Sequence, residues 1–174
     1  MVTNPGEGAR ADQEVQRLCD RLFGVVHSLM RRLRPMVLED LGLKAAISDL
    51  RDHWLITSPH LEIIFHCESA LDELRGEMSI EIYRIIQEAL TNTLRHSGGT
   101  LSEISIMERS PSTIQLIIKD NGRGISQSKK KRGFGLLGMR ERVASLQGQF
   151  KLINRPGQGL EIRIDLPLKN TKDD

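Results

Sequence analysis

Two periods alternate along this chain. Apolar residues recur at steps of three and four over residues 12–34 (Val15, Leu18, Leu22, Val25, Val26, Leu29, Leu33), predicting an amphipathic helix that Pro35 ends. The same period predicts helices over 43–56 (Leu43, Ala46, Ile47, Leu50, Trp54) and over 138–147 (Met139, Val143, Leu146). It is clearest over 79–96, where Ile82, Ile85, Ile86, Ala89, Thr93 and Leu94 form one stripe, Ser79 suits an N-cap and Glu81 an acidic first turn. Gly98 and Gly99 follow, the residues that tolerate a left-handed helix end. Period-two runs predict strands over 61–66, 102–108, 113–119, 150–153 and 160–166. R-S-P-S joins the second run to the third, and R-P-G-Q-G the fourth to the fifth. The last run alternates cleanly, with Leu160, Ile162, Ile164 and Leu166 against Glu161, Arg163 and Asp165.

Strands that arrive in hairpin pairs, with helices between the pairs, predict an α+β fold. The expected form is a two-layer sandwich with helices on one face of a mixed, mostly antiparallel sheet. The 12–34 helix has a rich apolar face and no obvious partner, so dimerisation or docking on another segment is expected of it. Residues 1–11 read as flexible lead-in and 169–174 as a frayed tail.

With 39% hydrophobic and 28% charged residues in 174, the composition is that of a soluble domain. Aromatics at 3% leave the core to Leu, Ile, Val and Met. A net charge of +2 gives no argument for nucleic acid. Cys19 and Cys67 match no zinc spacing and read as free thiols in a reducing cytoplasm. No apolar run approaches the ~20 residues of a membrane span, and no signal peptide is visible.

Candidate chemistry falls in three places. Glu88, Asn92 and His96 follow one another by helical turns, putting a carboxylate, an amide and an imidazole on a helix edge that could serve a metal or a phosphate. Asp120-Asn121-Gly122-Arg123-Gly124-Ile125 follows a strand directly, and a carboxylate there can accept a hydrogen bond from an exocyclic amine such as that of adenine. Taken alone it is equally a D-N-G turn. Gly133-Phe134-Gly135-Leu136-Leu137-Gly138 precedes a helix and spells G-x-G-x-x-G. No strand stands before it, which excludes a dinucleotide fold, and no V-A-I-K strand follows, which excludes a protein-kinase loop. A glycine segment entering a helix N-terminus that favours phosphate remains. Lys129-Lys130-Lys131-Arg132 lies between the two glycine segments, as a solvated loop or a lid drawn to polyphosphate.

The order is more telling than the parts. An E-x-x-x-N helix, D-x-G-x-G, a basic loop, G-x-G-L, a helix and a G-x-G hairpin together resemble the N, G1 and G2 boxes of the GHKL or Bergerat-fold ATPases. Within these the chain resembles the catalytic ATP-binding domain of sensor histidine kinases. R-R-L-R-P-M-V-L-E-D-L-G-L, Q-E-A-L-T-N-T-L-R-H and G-F-G-L-L-G-M-R-E-R are similar to the nitrate-sensor and hexose-phosphate-sensor type.

The resemblance implies ATP and Mg²⁺ as cofactors, with Asn92 on the metal. Glu88 would be the catalytic carboxylate, reaching the metal through water. Arg95 stands where the family has lysine, and His96 beside the nucleotide. Asp120 would read adenine over a floor shaped by Gly122, Gly124 and Ile125. Gly133, Gly135 and Leu136 would hinge the lid, with the helix from Gly138 facing the phosphates. Leu160 stands where the family often has threonine.

The resemblance also implies domains: residues 12–40 as the second helix of a dimerisation and phosphoacceptor hairpin, and 41–168 as the ATP-binding domain. His27 is followed by Ser28 rather than an acidic residue, so the acceptor histidine is expected on a helix outside this chain, which alone should not autophosphorylate. Expected partners are those helices in a homodimer of the parent kinase and the receiver domain of a response regulator. Neither nucleic acid nor membrane is expected for this segment, and the expected location is the cytoplasm, in a parent that could itself be membrane-anchored. The rival readings are an ATP hydrolase of the same superfamily, with Glu88 activating water, an anti-sigma-type serine kinase, and an interaction module that binds no nucleotide.

Overall fold

Ile114, Leu116 and Ile118 alternate with Gln115, Ile117 and Lys119, and only the first set is buried. That one-sided burial is what period-two patterning means when a sheet is covered on a single face. The computed structural model describes Leu38, residues 40–68, Leu74, 76–125 and 134–168. All of them lie in one unit, Val37–Asp174. The expected 12–34 helix, His27, the basic run 129–132, Gly133 and the tail lie outside the described residues.

The described elements run α1 (Leu43–Thr57), β1 (Glu62–Cys67), α2 (Gly76–Asn92), a π-helical turn (Thr93–Ser97), β2 (Leu101–Ser110), β3 (Thr113–Asp120), α3 (Phe134–Ser145), β4 (Gln149–Arg155) and β5 (Gly159–Pro167). They form one five-stranded sheet in the order β1-β2-β3-β5-β4. The β1–β2 pair is parallel and the other pairs are antiparallel, so the mixed, mostly antiparallel sheet expected from the sequence is found.

A parallel pair cannot be joined by a hairpin and needs a crossover, and α2 is that crossover. Its buried face (Ile82, Ile85, Ile86, Ala89, Leu90) meets the inward residues of β2, β3 and β5 in one aliphatic core shared with α1 and α3. The topology also brings chain ends together. Because β2 leaves α2 and runs antiparallel to β3, the end of α2, the start of β2 and the end of β3 share one edge, with Ser102 opposite Asp120. The start of β5 joins them, since Lys119 pairs with Glu161.

Two boundaries differ from expectation for packing reasons. Helix α2 begins at Gly76, so Ser79 is inside it. Its hydroxyl is buried and donates to the Gly76 carbonyl at 2.9 Å, and Glu77 takes the acidic first-turn position. Helix α3 begins at Phe134, four residues before the apolar period signalled it, which places Gly135, Leu136 and Gly138 within the helix.

Leu116 sits in the central strand, fully buried among isoleucines. Leu116→Ala is expected to destabilise the domain by about 2–5 kcal/mol through lost burial and a residual cavity, measured by urea denaturation.

Candidate functional site

The C-terminal half of α2 carries Glu88 and Asn92 one turn apart on an edge that is only partly buried. Helix α3 lies against that edge. A Cβ added at Gly135 would collide with Glu88 Oε1 and come within 3.3 Å of Asn92 Nδ2, so any larger residue there would displace the Glu88 carboxylate. A second contact sets the register of the two helices. Arg142, seven residues further along α3, donates to Glu81 at 2.7 Å, and Glu81 lies seven residues before Glu88. The helices therefore run antiparallel over these two contacts. Glycine inside a helix costs about 0.5–1 kcal/mol relative to alanine, and at Gly135 close approach to α2 explains it.

Beyond Asn92 the helix changes pitch. Thr93–Ser97 is π-helical, a form concentrated at functional sites. The wider turn removes His96 from the strict four-residue stacking on Glu88 and Asn92 that the sequence suggested. His96 and Arg95 are exposed, and the Arg95 guanidinium stands at the helix end where the dipole favours a cation. Gly98, in the left-handed conformation at φ +65°, ends the turn as expected.

The D-N-G-R-G segment closes on that turn. Gly122 lies so near Ser97 that a Cβ would overlap the serine side chain. Arg123 donates through its backbone N–H to the Ser97 carbonyl at 2.9 Å and through Nε to the His96 carbonyl at 2.8 Å. Asn121, which sequence reasoning passed over, accepts from the backbone N–H groups of Thr100 (2.8 Å) and Leu101 (3.0 Å), fastening the end of β3 to the start of β2. Asn154 was also missed. From β4 it accepts from the Ile125 N–H at 2.6 Å and donates to the Ile125 carbonyl at 2.8 Å. That leaves Gly124, at φ +69°, against the β4–β5 hairpin. No periodicity marks such residues; only Asn preceding a glycine, or an Asn among strand residues, hints at them.

Asp120 is half-buried at the end of β3, and its Oδ1 accepts from the Gly122 N–H at 2.8 Å. Burial raises its pKa above the ordinary aspartate value, while backbone N–H groups of Gly122 and Leu160 pull the other way. Gly159, at φ +101°, presses on the Asp120 carbonyl, tying the G-Q-G hairpin to the same point.

Asn92 and Asp120 are thus linked by a short chain of contacts through the π turn, Ser97 and Gly122. The structure brings Glu88, Asn92, Gly135, Asp120, Gly122, Gly124 and Ile125 to one end of the sheet. Gly133 lies outside the described residues, and a Cβ at Gly138 would meet nothing within 4 Å. A cavity of about 220 Å³ also opens beside Asp120, on the sheet face away from the helices. It is lined by Glu103, Lys119, Arg155 and Glu161 and does not include Asn92. Asn92 Nδ2 is buried and has no hydrogen-bond partner among the described residues. An amide left in that condition is suited to a ligand.

Residues 77–170 match the family described as histidine kinase-, DNA gyrase B-, and HSP90-like ATPase, and the chain belongs to it. It is 32% identical over 165 residues to the signal transduction histidine-protein kinase/phosphatase DegS of Brevibacillus brevis, covering 93% of this chain and 42% of that protein. It is 28% identical to UhpB of Salmonella typhimurium, a protein of the same description, covering 96% of this chain and 33% of UhpB. The chain therefore spans less than half the length of these relatives. Among solved structures it is similar to the Erythrobacter litoralis EL346 blue-light activated histidine kinase. The TM-score is 0.69 at 20% identity, over 90% of this chain and 51% of that one, a likeness of fold.

Two glycines of α3 should respond differently to substitution. Gly138→Ala is expected to stabilise the chain by about 0.5–1 kcal/mol, whereas Gly135→Ala should gain less because the Glu88 carboxylate must swing away to admit the methyl, both read by thermal denaturation. The raised Asp120 pKa makes a separate prediction. As pH rises, the unfolded state ionises Asp120 first, so the residue's contribution to stability falls between the ordinary aspartate pKa and the raised one, and stays lower above it. The stability of the wild type relative to Asp120→Asn should accordingly decline as pH rises through and beyond the ordinary aspartate pKa in urea titrations.

Proposed function

We propose that this chain binds Mg²⁺·ATP at the end of the sheet where α2, β2 and β3 meet, between α2 and the glycine-rich lid, and presents the γ-phosphoryl group to a histidine on a helix outside the chain, for relay to a response-regulator receiver domain. One observation carries the reading. The amide of Asn92, buried without a partner among the described residues, and the half-buried carboxylate of Asp120 are held at one end of the sheet by the Gly122–Ser97 contact.

Phosphoryl transfer asks a protein mainly for positioning and charge neutralisation, and each residue can be given such a task. Asp120, ionised, accepts the adenine amine at the end of β3. Asn92 offers its amide toward the phosphates, and Glu88, one turn back, orients water beside it. Arg95 and His96 stand at the helix end where phosphate oxygens would gather, and the first turn of α3 turns its N–H groups toward the same place. Magnesium, when bound, would neutralise phosphate charge. Among the described residues no cluster of three His, Cys, Asp or Glu could hold a metal alone, which suits an ion that shares its shell with phosphates and waters.

In this reading residues 41–168 are the nucleotide-binding domain and 12–40 the second helix of a dimerising hairpin, in the cytoplasmic part of a homodimeric parent kinase. Among the described residues no helix is long and apolar enough to cross a membrane.

Calorimetric titration with a non-hydrolysable ATP analogue should show binding that depends on Mg²⁺. Asn92→Ala should weaken it at least about tenfold, the loss of ~1.4 kcal/mol expected for a ligand-facing polar group. A phosphohistidine assay on the chain alone should stay blank. Steady ATP turnover abolished by Glu88→Gln would instead favour a hydrolase.

A further inference from the structure

Among the described residues three buried side-chain polar atoms lack a hydrogen-bond partner: Trp54 Nε1, Asn92 Nδ2 and Ser102 Oγ. Trp54 belongs to α1, away from the α2–β3 junction. Asn92 is accounted for by the proposed phosphate site. Ser102 remains, and no motif pointed to it.

Its position is specific. Ser102 is fully buried and pairs directly with Asp120 across β2 and β3. Paired residues on neighbouring strands stand on the same face with Cβ atoms about 4.5–5.5 Å apart, so the hydroxyl lies beside the carboxylate. The inward positions that follow on both strands are aliphatic: Ile104 and Ile106 on β2, Ile118, Leu116 and Ile114 on β3. A serine breaks that series just where the sheet reaches Asp120. The other buried serine and threonine hydroxyls of the described residues are satisfied within the helical backbone. Thr91 donates to Gln87 O at 2.8 Å, Thr93 to Ala89 O at 3.1 Å, and Ser79 to Gly76 O. A strand offers Ser102 no such carbonyl, and a buried hydroxyl left unpaired is a net cost to folding.

We infer that Ser102 is a base-reading residue: its hydroxyl completes, directly or through one bound water, a donor–acceptor pair with Asp120 that recognises the amine and ring nitrogen of adenine. The inference rests on the proposed nucleotide site and adds a specificity determinant to it. Asp120 accepts from the exocyclic amine, and Ser102 donates toward the adjacent N1 acceptor. An aliphatic residue at Ser102 would serve the core better and leave N1 without a partner.

The test uses the whole chain, with ATP, 1-deaza-ATP (which lacks the N1 acceptor) and GTP, titrated calorimetrically with Mg²⁺. Ser102→Ala should be at least as stable as wild type in urea, yet bind ATP about three- to tenfold more weakly, the loss of one hydrogen bond. Wild type should lose a similar factor on going from ATP to 1-deaza-ATP, and Ser102→Ala should lose nothing further, because the two changes remove the same interaction. Equal ATP affinity for wild type and Ser102→Ala, or a full 1-deaza penalty persisting in the variant, overturns the inference. Asp120→Ala separates this from failure of the site itself. If that variant binds ATP as wild type does, or GTP binds as well as ATP, the adenine reading is wrong, and Ser102 falls with it.

Discussion

The structure depends on one close approach, the backbone of Gly122 laid against Ser97. It is a contact between the exit of a strand and the exit of a helix, and the parallel β1–β2 pair makes it possible by forcing α2 to cross the sheet. Without it the polar edge of α2 and the carboxylate ending β3 would be two unrelated surface features. With it, and with Arg123 bonded to the carbonyls of His96 and Ser97, they are joined at one end of the sheet. Any side chain at Gly122 would push the strand exit off Ser97. The glycine is therefore required by the approach of another chain segment rather than by its own backbone angles.

The π turn is the second device. An uninterrupted α-helix would stack Glu88, Asn92 and His96 on one edge and aim three polar groups in the same direction. Widening the helix after Asn92 keeps the carboxylate and amide together against α3 while the imidazole and the Arg95 guanidinium face solvent at the helix end. Two kinds of interaction then share one helix: a tight, partly buried pair where a metal and water would be ordered, and a looser cationic rim where long-range attraction suffices.

Elements with strong periodicity were legible in the sequence, because burial on one face is itself periodic. The five strands, α1, and the body of α2 follow from Ile, Leu and Val spacing, and the candidate residues Glu88, Asn92 and Asp120 stood out through their place in a known order of motifs. What could not be read was where short polar residues end up. Ser79 suggested a cap and became an interior residue, because Gly76 begins the helix a turn earlier. Gly133, Gly135 and Leu136 suggested a lid hinge, yet Gly135 and Leu136 are helical, and Gly135 lies against the Glu88 carboxylate. Asn121, Asn154 and the Glu81–Arg142 pair act through partners 20 to 61 residues away, a distance at which local pattern carries no signal.

Asp120, Asn92 and Ser102 break the rules that the rest of the core obeys. One is a carboxylate held partly out of water, one an amide with an unmet donor, one a hydroxyl among isoleucines. Each would be better replaced, for stability alone, by an apolar residue of similar size. They are not scattered. All three stand within the stretch where α2, β2 and β3 end or begin, while the buried hydroxyls of Ser79, Thr91 and Thr93 each donate to a carbonyl three or four residues back in the helical backbone. Local conflict gathered at one point, inside a fold otherwise consistent from period to packing, is what a binding site costs a protein before its ligand arrives. Its polar groups are already oriented when that ligand enters, so little of the binding energy need go into arranging them.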